Sequence, residues 1–160
     1  MSTDTDINFI LGLIAGEGSF NANMHQQDTY KFGVRAGMRF HLGMHSDDRE
    51  LIQKLQDFFG YGRVVVRDDS KSLAYWEIRN NDNIEKFAGW VENNANSWFK
   101  ETRKYRAFER WNALLQDRKE LIKSYDGMVE FVNRAKAINT TNRGKSADEW
   151  VELLDKPKDL

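Results

Sequence analysis

The chain has 160 residues, 40% hydrophobic and 31% charged, with no cysteine and a formal net charge of −1. That length supports one domain with a core large enough to fold unaided, and the lack of cysteine excludes a disulfide-built scaffold and a thiolate metal site. No apolar run reaches membrane-spanning length, and the start lacks the basic residues of a signal or transit peptide, so the chain reads as an intracellular, soluble protein without a membrane partner.

In chain order, residues 6–16 read as a short apolar helix with Asp6 as N-cap and Gly16 or Gly18 as its end. The helix is hydrophobic nearly all round, which predicts burial on most sides. Residues 18–27 then alternate, with Phe20, Ala22 and Met24 on one face and Asn21, Asn23, His25 and Gln27 on the other. A second alternating run spans 34–45, where Val34, Met38, Phe40, Leu42 and Met44 oppose Arg35, Arg39, His41 and His45. Period two over such lengths predicts two strands.

Residues 47–59 carry Leu51, Ile52, Leu55, Phe58 and Phe59 at helical spacing, with Ser46 or Asp47 as cap and Gly60 and Gly62 after the end. A second hairpin follows: Val64 and Val66 alternate with Arg63 and Arg67, then Ala74, Trp76 and Ile78 alternate with Tyr75, Glu77 and Arg79. Residues 82–94, 99–123, 126–138 and about 147–155 read as helices. The order is α-β-β-α-β-β-α with a helical tail: an α+β chain, one domain over 1–160, its core about 6–123 and its C-terminal extension about 124–160.

The segment Ile10-Leu11-Gly12-Leu13-Ile14-Ala15-Gly16-Glu17-Gly18-Ser19-Phe20 holds the chemistry. A small residue every fourth position, Gly12 and Gly16, lets two helix backbones approach closely, which suits a pair of identical helices at a dimer interface with Leu13 beside them. Each helix then delivers one carboxylate, Glu17, to the foot of that interface. Paired carboxylates bind hard divalent cations through oxygen. The other reading of these eleven residues is a core helix with a glycine cap and a surface Glu. A dinucleotide-binding loop is excluded, because that fingerprint needs strand before helix and a third glycine.

This segment resembles the signature of LAGLIDADG homing endonucleases, in which an apolar helix ends in a glycine-flanked acid and enters a strand. The resemblance extends to Phe58-Phe59-Gly60-Tyr61-Gly62-Arg63, like the family's aromatic-Gly-x-Gly junction, and to the tail from Ala137 to Ser146 with Trp150-Val151-Glu152-Leu153-Leu154, like the DNA-backbone loop of the single-motif, homodimeric branch. It implies the family's α+β fold, a four-stranded antiparallel sheet curved to lie on DNA. It also implies a homodimer that cuts long pseudo-palindromic double-stranded sites in the mode of intron homing, leaving short 3′ overhangs, with Mg²⁺ as cofactor and Mn²⁺ as its substitute. Phe87-Ala88-Gly89-Trp90 lacks the Gly-acid-Gly ending and reads as a core helix, so the chain has one motif.

On that resemblance Glu17 and the Gly16 carbonyl hold metal, and a basic residue beside the scissile phosphate is Lys100, Arg103 or Lys104. His45 or Ser46 occupies the place of the family's Gln after the second strand, which makes His45 a candidate for positioning water. Base and phosphate contacts fall to Asn21, Asn23, His25, Gln27, Arg35, Arg39, His41, Arg63, Arg67, Lys71, Tyr75, Glu77 and Arg79. Arg pairs with guanine, Asn or Gln with adenine, and a carboxylate accepts from cytosine. In the tail Asn139, Thr140, Thr141, Arg143 and Lys145 suit phosphate contacts. His41 and His45, four apart on a strand, lie about 13 Å apart and cannot chelate one ion.

Two alternatives stand beside this reading. One is a catalytically weak nucleic-acid-binding protein of the same fold, such as an intron RNA maturase or a DNA-binding regulator. The other is an unrelated α+β protein whose first helix packs in its own core.

Overall fold

The computed structural model describes residues 3–139 and 144–155. The elements are α1 (Asp4–Glu17), β1 (Gly18–Gln26), β2 (Val34–His45), a 3-10 turn (Ser46–Asp48), α2 (Arg49–Phe59), β3 (Arg63–Arg67), β4 (Leu73–Ile78), α3 (Asn81–Asn94), α4 (Ser97–Lys100), α5 (Arg103–Leu121), α6 (Tyr125–Ile138) and α7 (Ala147–Glu152). The strands form a four-stranded sheet in the order β1-β2-β4-β3, and β4 runs antiparallel to both β2 and β3. The expected αββαββα order is present, and no helix among the described residues is long and apolar enough to cross a membrane.

Several boundaries differ from the sequence reading for local reasons. Helix α1 starts two residues early because Thr3, not Asp6, is the N-cap: the Asp6 N–H donates to the Thr3 hydroxyl and the Asp6 carboxylate accepts from the Thr3 N–H, a capping box. The helix expected over 99–123 is broken at Thr102. Asn96 caps α4 by accepting from the Phe99 N–H, while the Thr102 hydroxyl donates to the Phe99 carbonyl and accepts from the Tyr105 N–H. One threonine thus ends α4 and starts α5. At α2 the cap falls on Asp48 rather than Ser46 or Asp47, without a side-chain cap bond, because a 3-10 turn precedes the helix; His45 caps that turn, its Nδ1 accepting from the Asp47 N–H.

The chain falls into two compact units, one of residues up to Phe20 with Arg39–Phe108, the other of Asn21–Met38 with Glu109 onward. The first unit is built on aromatic rings. Phe40 lies 4.4 Å from Phe87 and 4.9 Å from Phe20, and Phe59 stacks on Trp76 at 4.8 Å. Ile10, Leu11 and Ile14 of α1 are buried in this unit, but Phe9 is 55% exposed and Gly12, Gly16 and Glu17 are open. So α1 is covered along one stripe only, not on most sides as its all-round apolarity predicted.

The second unit buries Ala22, Met24, Val34, Ala36 and Met38 from the strands, with Trp111, Leu114, Phe131, Val132 and Ala135 from the helices. Polar ties fix it. Trp111 Nε1 donates to the Asn21 carbonyl at 3.0 Å, and Arg118 Nε to the Ala36 carbonyl at 2.8 Å.

The turn between α2 and β3 uses two glycines differently. Gly60 has φ +77° with open space around it, whereas Gly62 has φ +91° and lies against the indole of Trp76, whose N–H donates to the Tyr61 carbonyl at 2.9 Å. Gly60→Ala therefore bears only left-handed strain, roughly 1 kcal/mol. Gly62→Ala adds a clash with a buried ring and is expected to cost roughly 3 kcal/mol or more. Chemical denaturation of the two variants checks this order, and equal losses would contradict it.

Candidate functional site

The backbone passes from α1 into β1 with no loop between them. Gly18 is extended at φ −72°, its N–H bonded to the Ile14 carbonyl. A Cβ there would sit 2.7 Å from the Ile14 oxygen and 3.1 Å from the Phe40 ring, so only glycine lets helix and strand meet this tightly. Glu17, the last helical residue, is left exposed at the junction.

Lys104, in the first turn of α5, reaches the same junction: its Nζ donates to the Gly18 carbonyl. Burial pushes its ammonium below the ordinary 10.5, Arg103 pushes the same way, and nearby Glu17 opposes both. Of the three expected cations, Lys104 is thus the half-buried one beside Glu17. Lys100 closes α4 and Arg103 opens α5, both exposed.

The oxygen donors at this junction, the Glu17 carboxylate and the Gly16 carbonyl, are of the hard type that Mg²⁺ and Mn²⁺ prefer. No group of three or more His, Cys, Asp or Glu able to hold a metal ion occurs among the described residues. The donors present fit such an ion in kind. His45, exposed, has its Nδ1 engaged at the 3-10 turn and 3.4 Å from the Asp47 carboxylate.

Strand register sets the polar face of the first unit. Glu77 stands opposite Arg63 on β3 and His41 on β2, and Tyr75 stands opposite Val65 and Gly43. Glu77 is 2% exposed, the one buried charged residue among those described. Its Oε1 accepts from Arg63 Nε at 3.1 Å and from Arg63 Nη2, and its Oε2 accepts from Arg39 Nε at 2.9 Å and Arg79 Nε at 3.2 Å, with Arg39 Nη2 in ion-pair contact at 2.7 Å. Four hydrogen bonds on two oxygens use up the acceptor capacity of a carboxylate. A cytosine amine would have to displace an arginine.

His41 is half-buried. Burial lowers its imidazole below the ordinary 6.5, Arg39 adds to this, and Glu77 opposes, so the ring is neutral at pH 7. Arg67 pairs with Asp69 at 3.3 Å, and Lys71 lies exposed in the β3–β4 turn.

In the second unit Asn21, Asn23 and Arg35 are half-buried on the face opposite the core, and His25 and Gln27 are exposed. Asn139, expected at a phosphate, has its side chain paired with the backbone of Ala22, accepting from the N–H at 3.1 Å and donating to the carbonyl at 2.8 Å. Lys145 is exposed, 5.4 Å over the Trp150 ring. Thr140, Thr141 and Arg143 lie outside the described residues. The reading of α1 overlooked Phe9, although Phe9, Gly12, Leu13 and Gly16 follow i, i+3, i+4, i+7 and so share one helix face.

Burial alone would raise the Glu77 carboxyl, but hydrogen bonds from Arg63 and Arg39 and the charges of Arg39 and Arg79 outweigh it, and the group sits below the ordinary 4.5. A folded-state value depressed in this way stabilises the protein fully above the unfolded value and loses that effect as pH falls through the folded one. Glu77→Gln is therefore expected to melt below the wild type at pH 7, with the gap closing as the pH drops below about 4.5. A gap that stays constant with pH in thermal melts would contradict this.

Residues 10–115 match the family model described as LAGLIDADG endonuclease. A curated relative, the probable intron-encoded endonuclease 3 of Neurospora crassa, is 30% identical over 82 residues, 51% of this chain but 15% of that protein, so the chain matches only a small part of its length. Among solved structures, the homing endonuclease I-TnaI has a TM-score of 0.79 at 23% identity, covering 92% of this chain and 97% of its own. The archaeal intron-encoded homing endonuclease I-Vdi141I, complexed with DNA, has a TM-score of 0.80 at 19% identity, covering 94% of each. At such identities these two share the fold with this chain. The family match takes in the α1–β1 junction, both hairpins and the start of α5 with Lys104, and by it the chain belongs to the LAGLIDADG endonuclease family.

Proposed function

We propose that the chain is a site-specific double-strand DNA endonuclease that works as a homodimer with a divalent cation and leaves short 3′ overhangs at a long pseudo-palindromic site. The observation that carries this is the loop-free junction where Glu17 stands exposed with Lys104 bonded to the next residue's carbonyl. The matched family description and the DNA complex of I-Vdi141I support it.

The open stripe of α1 gives the reason for two copies. Phe9 is 55% exposed, and a Cβ on Gly12 or Gly16 would meet nothing within 4 Å in the single chain. Two such helices packed through their glycines bring two Glu17 carboxylates side by side. Like charges held that close repel unless a cation lies between them.

Glu17 and the Gly16 carbonyl would hold the cation, which would supply Lewis-acid polarisation of the scissile phosphate and activation of water. Lys104, anchored at Gly18, presents fixed positive charge to the phosphate as negative charge grows there. Lys100 and Arg103 add exposed positive charge nearby, and His45 stands as a candidate to orient water. The polar faces of the strands lie in the major groove, with Asn21, Asn23, His25, Gln27 and Arg35 from one unit and Arg39, His41, Arg63, Arg67, Lys71, Tyr75 and Arg79 from the other. Lys145 and the neighbouring tail hold phosphate.

With Mg²⁺ and a plasmid library of candidate sites, the wild type is expected to linearise its target. Glu17→Gln should abolish cutting, and Lys104→Met should slow it by roughly 10²-fold to 10³-fold, while both still retard the same DNA. Because the ammonium is the active form and its pKa is lowered, the wild-type rate should fall on the alkaline side before pH reaches the ordinary lysine value. Retardation without cutting by every form, wild type included, would favour the maturase or regulator alternative.

Gly12→Leu places a large side chain on the helix contact. It is expected to sediment as a monomer and lose double-strand cutting, while its fold, read by circular dichroism, is unchanged because the space is open within one chain. A wild type that is monomeric at high concentration would remove the shared site.

A further inference from the structure

We propose that Glu77 is a positioning residue for sequence reading: it contacts no base, and it locks Arg39, Arg63 and Arg79 into one rigid guanidinium cluster that reads a contiguous block of base pairs. The proposal rests on the reading of the strands as a DNA-binding face.

Three observations carry it. First, Glu77 is buried to 1% of its side chain, whereas the arginines it holds keep 23%, 64% and 56% of theirs exposed for Arg39, Arg63 and Arg79. The carboxylate lies beneath and the cations above, an arrangement in which only the cations meet a ligand. Second, the three arginines come from three places, β2, β3 and the residue after β4: Arg63 stands directly opposite Glu77 and Arg39 reaches it diagonally from two residues before His41, so one carboxylate ties three adjacent strands together. Third, Glu77 takes two N–H contacts from Arg39, two from Arg63 and one from Arg79, and each guanidinium has five donors. Donors remain for a base edge on every one, while the bonds to Glu77 restrain each head, Arg39 and Arg63 by two contacts and Arg79 by one.

The physical consequence concerns specificity more than affinity. Three positive charges against one negative leave a surplus of two, enough to keep the patch attractive to DNA. A free arginine finds any phosphate. One whose head is already oriented loses less freedom on binding and can meet only the guanine O6 and N7 that lie in its path. Three heads gathered on one carboxylate lie side by side and so face neighbouring base pairs, not scattered ones. A hollow lined by Gly62, Arg63, Glu77, Arg79, Asn80 and Asn83 opens beside the cluster, leaving room for an approaching base edge.

The experiment is selection from a randomised duplex library by binding in EDTA, comparing the wild type, Glu77→Gln, Arg63→Lys and Arg79→Lys at two salt concentrations. Wild type is expected to yield a two-fold-related consensus. Glu77→Gln should lose base preference over one short block in each half, discriminating there roughly 10-fold to 100-fold less, with the remaining positions intact and non-specific retention on the library undiminished. Arg63→Lys and Arg79→Lys keep charge and lose the fork, and should blur the same block. They decide the matter where Glu77→Gln melts below the assay temperature. An unchanged consensus, an equal loss at every position, or lysine variants that blur separate blocks would overturn the proposal while leaving the DNA reading standing. A wild type that enriches nothing would overturn both.

Discussion

The site depends on how tightly α1 runs into β1. Gly18 has no room for a side chain between the Ile14 carbonyl and the Phe40 ring, so the helix ends and the strand begins within one residue. That contact fixes two things at once. It leaves Glu17 on the exposed last turn, and it turns the Gly18 carbonyl to where Lys104 can donate to it. Phe40 in turn packs on Phe20, Phe87 and Trp76, so the aromatic core holds the junction in place. Catalytic groups that must act within tenths of an ångström are better carried on packed helix and strand ends than on a loop, and this chain has removed the loop.

The sheet meets a different physical demand. A buried carboxylate is costly unless its lone pairs are filled, and Glu77 fills them with arginines alone. The same bonds that make burial tolerable immobilise the cations. Stability and pre-organisation are therefore one interaction on this face, whereas at the α1–β1 junction the carboxylate of Glu17 is exposed.

Much of the fold was legible because alternation is a direct image of a sheet with one covered face. Phe20, Ala22 and Met24, and then Val34 to Leu42, are buried as their period predicts. What escaped were interactions between residues far apart in sequence, or side chains with two uses. Thr102 both ends and begins a helix, which no hydrophobic period reveals. Asn139, in a polar tail, pairs with the Ala22 backbone 117 residues away, a tie that local sequence does not show. Glu77 was visibly on the polar face, but its burial follows from cross-strand register with Arg63, which composition does not encode. For α1, uniform apolarity implied complete burial. The chain covers only the Ile10, Leu11 and Ile14 stripe, and the rest of that apolarity is explained by a second copy in the proposed dimer.

The net charge of −1 sits awkwardly with DNA binding until the acids are located. Many of them stand in first turns of helices: Asp4 and Asp6 on α1, Asp82 on α3, Asp126 on α6, Asp148 and Glu149 on α7, with Asp47 and Asp48 on the 3-10 turn. There they meet the unpaired N–H groups and the positive end of the helix dipole. They stabilise helix starts and are not drawn from the polar faces of the strands, where Glu77 is the acid and three arginines already surround it. A chain can thus be neutral in sum and cationic where it must be. The overall charge then sets only the long-range attraction, which salt screens within about 10 Å.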